Sequence, residues 1–123
     1  VGTASLVIVA TFFAGMGLFG LIAPAALVRP FGIRASTPES RSEVRAVYGG
    51  FGIAIAVLLA VAVPDVAGMR RGIAVAVAAA LLGMAFGRVV SRAVDRPTRF
   101  YPIWFYCCVE IVAAGMLLGA AAG

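Results

Sequence analysis

The chain has 123 residues, 63% of them hydrophobic and 12% charged, with a net charge of +5. Ordinary soluble domains run at about 45–50% and about 25%. There is too little polar surface here to coat a water-soluble globule, and the length supports one integral membrane domain covering residues 1–123. All ten basic residues are Arg. They flank apolar runs and are not interleaved with stacking aromatics, which favours membrane orientation and anionic head groups and argues against nucleic acid.

Four apolar runs follow, each near the ~20 residues that a spanning helix needs. They predict an all-α, up-down four-helix bundle with helices at about 3–28, 38–63, 72–94 and 98–122. The first run has no basic residue before it and exceeds the apolar core of a secretory signal, so it reads as a retained helix. Gly15, Gly17 and Gly20 in it permit close helix approach, and Pro24 lies near its exit. Residues 29–37 form a polar connection broken by Pro30 and Gly32. The second helix has the clearest start: Thr37 as N-cap, Pro38 at the first helical position and Glu39 at the positive end of the dipole. It stops at Pro64-Asp65, and a short turn carries Arg70 and Arg71.

The third run ends at Asp95-Arg96-Pro97-Thr98-Arg99, and the fourth opens with Phe100, Tyr101, Trp104, Phe105 and Tyr106, an interfacial aromatic cluster. Residues 29–45 and 88–99 then share one side and hold eight of the ten arginines. The positive-inside rule puts that side in the cytoplasm and both termini outside. The Ala, Val and Gly richness resembles the product of a GC-rich bacterial genome, hence an inner-membrane location. Gly83-x-x-x-Gly87 and Gly115-x-x-x-Gly119 are small-residue patterns that allow close helix packing. Cys107 and Cys108 are adjacent in an apolar helix and point in different directions, which reads as unbridged buried thiols. With no His and no spaced Cys pair, neither a metal site nor a haem or other cofactor is expected.

Charges inside the runs are the informative exception, since an ionisable side chain within a bilayer segment is costly and marks a functional site by default. Glu43 and Arg45 begin the second run, Arg88 and Arg92 end the third, and Glu110 lies within the fourth. Arg45 and Arg88 each lie seven residues from a helix end on the same side, about 10 Å at 1.5 Å per residue. Inward pairing is favoured, with Arg45 or Arg88 as the partner of Glu110. Glu43, Arg45, Arg88 and Glu110 are the structural ion-pair candidates, while Arg92 and Glu43 lie near enough to the surface to snorkel. Two readings stand side by side. In one the pairs only fix helix register. In the other, Arg45, Arg88 and Arg92 against Glu43 and Glu110 leave one spare guanidinium for a carboxylate or phosphate. Tyr48, Tyr106 and Trp104 would then line an apolar wall. Gly49, Gly50 and Gly52 either pack tightly or leave room for a flat or acyl ligand.

Glu43-x-Arg45-Ala-x-Tyr48-Gly49-Gly50, Gly87-Arg88 with Ser91 and Asp95, and Glu110 resemble an uncharacterised family of small bacterial four-helix membrane proteins, the domain-of-unknown-function family 4345. That resemblance covers most of the chain and implies a four-helix topology and no activity. A more distant likeness is to sterol-isomerase-type membrane domains with buried acids, none of whose motifs this His-free chain matches.

The expectation is a protein that binds an amphipathic anion or membrane lipid through Arg45, Tyr48, Arg88, Arg92, Tyr106 and Glu110, or that serves as an accessory subunit of a larger membrane complex. The alternatives are a lipid- or sterol-type isomerase or other lipid-modifying enzyme using Glu110 as acid/base, and a proton- or ion-coupled transporter working as a homo-oligomer.

Overall fold

In a bilayer every backbone N–H and C=O must find its partner without water, which leaves helices as the outcome for runs of this kind. The computed structural model describes residues 2–123, is helical with no strand among them, and contains four helices long and apolar enough to cross a membrane. Helix α1 covers Gly2–Ile22 and a short α2 covers Pro24–Val28. Helix α3 covers Pro38–Ala62, α4 Met69–Val94 and α5 Phe105–Ala122. The long helices alternate in direction. Helix α1 packs on α3 and α5, and α4 packs on the same two, closing a four-helix bundle.

Leu6, Leu59 and Leu117 are fully buried in its centre with Val77 and Leu81, so all four spans contribute. The outer surface is as apolar as the core: Ile8, Phe86 and Val112 are 57%, 68% and 61% exposed. Water would not tolerate such a coat, whereas lipid matches it. The chain is a multi-pass membrane protein.

Local chemistry sets the helix ends. Thr37 Oγ1 accepts from Ser40 N–H at 3.1 Å and Ser40 Oγ accepts from Thr37 N–H at 3.1 Å, a reciprocal cap at the start of α3. Thr37→Ala is expected to cost about 1 kcal/mol, visible as a lower unfolding midpoint in detergent that Thr37→Ser restores. At the opposite end of the bundle, Arg70 Nε donates to Ala62 O at 3.2 Å and Nη2 to Val63 O, while Arg71 Nη1 donates to Ala121 O at 3.4 Å. Both arginines of that end thus cap helix C-termini, where orphan carbonyls collect.

Three boundaries differ from the sequence expectation. The first span is not one helix over 3–28. A residue before proline is disfavoured in the α region, and Ala23 adopts φ −133°, ψ 64°, bending the chain between α1 and α2. The third begins at Met69, not 72, after Gly68 at φ 69°. In the fourth, Tyr101 precedes Pro102 and is extended at φ −93°, ψ 134°, so regular helix starts at Phe105 and not at 98.

Helices α1 and α3 cross where neither carries a side chain. A Cβ on Gly17 would sit 2.8 Å from Ile53 N and 2.9 Å from Gly49 O, and one on Gly52 would sit 3.0 Å from Gly17 Cα. Gly20 and Gly49 are equally confined. Over Arg45–Gly50 the helix widens, with Phe51 N–H reaching back to Ala46 O, five residues earlier. Tight packing is therefore the role of Gly49 and Gly52, whereas Gly50 meets only its own turn. The two spaced patterns do not seal an interface within the chain: Gly83, Gly87, Gly115 and Gly119 have nothing within 4 Å of an added Cβ.

Candidate anion-binding site at the Arg-rich end

The antiparallel order brings residues 29–31 and 100–104 together at one end of the bundle. Glu110 lies on α5 one to two turns inside that end and is 4% exposed. Arg88, near the end of α4, meets it edge-on: Nε donates to Oε1 at 2.9 Å and Nη2 to Oε2 at 2.8 Å. This fork-on-carboxylate geometry is the strongest form of ion pair available to these groups. The Arg88 guanidinium also lies 5.9 Å from the ring centres of Phe31 and Tyr106, which are 5.5 Å from each other. Cation–π attraction operates at such distances. Tyr106 is in turn packed against Tyr101 and Phe105.

Of the candidate residues, the structure joins Arg88, Glu110 and Tyr106 in one cluster and sets Arg92 beside it. It does not bring Arg45 there. The bend before Pro24 exposes the last carbonyls of α1, and Arg45 Nε caps one of them, donating to Leu21 O at 3.1 Å. Glu43 is exposed and forms no ion pair among the described residues. Its place in the second turn of α3 leaves it open to head groups and water. Tyr48, 40% exposed, makes no side-chain hydrogen bond among the described residues and does not line the cavity described next. The convergence of three spans on one ionic cluster is thus corrected to two spans, α4 and α5, with Phe31 from the first connection. Cys107 is buried with Sγ 4.0 Å from Ala85 O, whereas Cys108 is exposed, not buried, and neither is bridged.

Beside the pair a cavity of about 380 Å³ opens between α4 and the start of the fourth span. Arg88, Arg92, Arg96, Ser91 and Thr98 give it a polar side, and Met84, Ile103 and Trp104 an apolar one. Arg88, Arg92 and Arg96 follow one another at four-residue spacing along the end of α4 and just beyond it. Neither Arg92 nor Arg96 has an acidic partner within 4.0 Å among the described residues. Both oxygens of Glu110 are taken by Arg88, and Arg88 Nη1 has no protein acceptor among the described residues. The one nearby carboxylate off the wall, Asp95, accepts from Arg96 N–H at 2.8 Å. The cavity can therefore receive negative charge without displacing a protein group.

Sequence reasoning missed two members. Arg96 lies in the connection after α4, as its sequence context indicates, and no helical face marks it as a neighbour of Arg88 and Arg92. Phe31 sat in a connection classed as polar, and no local pattern marks its partner on α5. No group of three or more metal-ligating His, Cys, Asp or Glu side chains occurs among the described residues.

No curated protein and no solved structure matches the chain. A family model described as a domain of unknown function, DUF4345, matches residues 2–121, nearly the whole length. The chain thus belongs to the DUF4345 family, and its Arg-lined cavity lies within the matched domain.

Proposed function

We propose that this protein binds the anionic head of an amphipathic membrane molecule in the cavity beside the Arg88–Glu110 pair, on the cytoplasmic side of the cell membrane. The carrying observation is the lone acid of the cluster: Glu110 is fully used by Arg88, while Arg92 and Arg96 face the same cavity unpaired among the described residues. Guanidinium groups suit carboxylate and phosphate alike. The cavity lies within the roughly 300–1,000 Å³ of small-molecule sites, and its apolar wall fits the chain of an amphiphile. The Arg-rich end is placed in the cytoplasm by the positive-inside rule, which leaves both termini outside.

Lipid analysis of protein purified in mild detergent tests the reading. Wild type is expected to carry a defined anionic lipid that the Arg92→Ala/Arg96→Ala protein loses while keeping its helicity. An unchanged lipid complement would refute it. Catalysis by Glu110 finds less support, because both of its carboxylate oxygens are engaged by Arg88. The same engagement weighs against proton-coupled transport. An accessory role keeps one favourable observation, the open glycine faces at Gly83 and Gly115. Co-purification of a stoichiometric partner chain in the same preparation would support it.

A further inference from the structure

Charge and shape together narrow the ligand, and we infer that the cavity takes a phosphomonoester lipid in preference to a phosphodiester one. The inference rests on the anion-binding reading above and adds the class of head group. Three guanidinium groups line the cavity and one is neutralised by Glu110, leaving about two positive charges on the wall. A phosphomonoester carries roughly −1.5 to −2 at neutral pH because its second ionisation lies near 6. A diester stops at −1, and a zwitterionic head brings none. Only the monoester matches the wall.

Donor geometry points the same way. Arg88 and Arg92, one turn apart on α4, and Arg96, just beyond the end of that helix, all line the cavity, and a phosphomonoester offers three free oxygens where a diester offers two. Arg88 contributes its Nη1 edge, since Nε and Nη2 are held by Glu110. Ser91 adds a hydroxyl with no protein partner among the described residues. Thr98 has already donated its own to Arg99 O at 3.2 Å.

The apolar wall separates a lipid from free phosphate. Met84, 48% exposed, lies one helical turn further along the span than Arg88, and Ile103 and Trp104 line the same groove from the fourth span, so it grades from a charged end to an apolar end open to the surrounding lipid. Gly87 lies between them, with nothing within 4 Å of where a Cβ would be. A larger side chain there has room to fold and would fill space that an acyl chain needs.

The test reads the fluorescence of Trp104, the single tryptophan and a lining residue. Full-length protein in detergent is titrated near pH 7 with short-chain phosphatidate, phosphatidylglycerol and phosphatidylcholine of equal chain length, and with glycerol 3-phosphate. Phosphatidate is expected to bind about tenfold or more tighter than phosphatidylglycerol, the equivalent of one additional charge-assisted hydrogen bond. Phosphatidylcholine and glycerol 3-phosphate should be weaker still. Arg92→Ala/Arg96→Ala should weaken phosphatidate roughly 10- to 100-fold. Gly87→Leu should weaken phosphatidate and leave glycerol 3-phosphate unchanged.

Equal, arginine-dependent binding of phosphatidate and phosphatidylglycerol would overturn the monoester assignment and leave the anionic-lipid reading intact. Glycerol 3-phosphate binding as tightly as phosphatidate would replace the lipid with a soluble phosphate ester. Binding indifferent to Arg92 and Arg96 in every arm would remove both readings together.

Discussion

Arg88→Met is expected to destabilise the bundle by roughly 3–5 kcal/mol, and Glu110→Gln by clearly less. The asymmetry follows from where each group is left when its partner goes. The side chain of Glu110 is 5% exposed and takes both its hydrogen bonds from Arg88, so the Met variant strands a carboxylate in an apolar interior. Arg88 is less trapped. Its side chain is 19% exposed, it lines an open cavity, and Phe31 and Tyr106 still offer their ring faces when the acid is gone. Gln at 110 also keeps one amide oxygen for the guanidinium. Replacing both residues with Met removes the desolvated pair altogether, and the double variant is expected to be more stable than Arg88→Met alone. Reversible unfolding in mixed micelles, followed by circular dichroism for the wild type and these three variants, ranks them, and Glu110→Met as a fourth variant closes the cycle. An equal or greater loss for Glu110→Gln would show that Glu110 is not the buried, dependent member of the pair.

The legibility of this pair in the sequence has a physical basis. Both residues lie within apolar runs, and the cost of facing lipid turns each inward. Two inward charges of opposite sign on neighbouring spans have few places to go but toward each other. The four spans and the Thr37 cap were legible for similar reasons, since run length and capping chemistry are local properties. Arg45 was not, because its partner is created by tertiary structure. Leu21 O becomes an attractive acceptor only when Pro24 bends the first span, and nothing near Arg45 in the sequence signals that. Arg45 also sits on a stripe with Arg41 and Tyr48, but a stripe fixes a face and not the neighbour it meets. The close crossing was legible in the small residues Gly17, Gly20, Gly49 and Gly52, whereas the four-residue glycine spacings on α4 and α5 face open space.

Gly17→Ala is the second large effect, with an expected loss of about 1–3 kcal/mol and more for Gly17→Leu. The atoms that an added methyl group would meet are Ile53 N at 2.8 Å and Gly49 O at 2.9 Å, both backbone, so no rotamer change relieves the clash. The helices must separate, and with them the favourable contacts of the whole α1–α3 seam. Gly83→Ala and Gly115→Ala supply the control. Each has open space around the new methyl, so helix propensity should leave stability unchanged or improved by about 0.5–1 kcal/mol. The seam also bears on the candidate site. Arg45 ties α3 to the end of α1 at Leu21, and the chain leaving that end carries Phe31 to the face of Tyr106 and Arg88. Spreading α1 from α3 is therefore expected to loosen Phe31 and weaken anion binding at a site that contains neither glycine. Thermal unfolding and lipid titration on the same four proteins separate the alternatives. Full stability in Gly17→Ala would mean the two helices do not cross as closely as described. Lost stability with intact lipid affinity would detach the seam from the site.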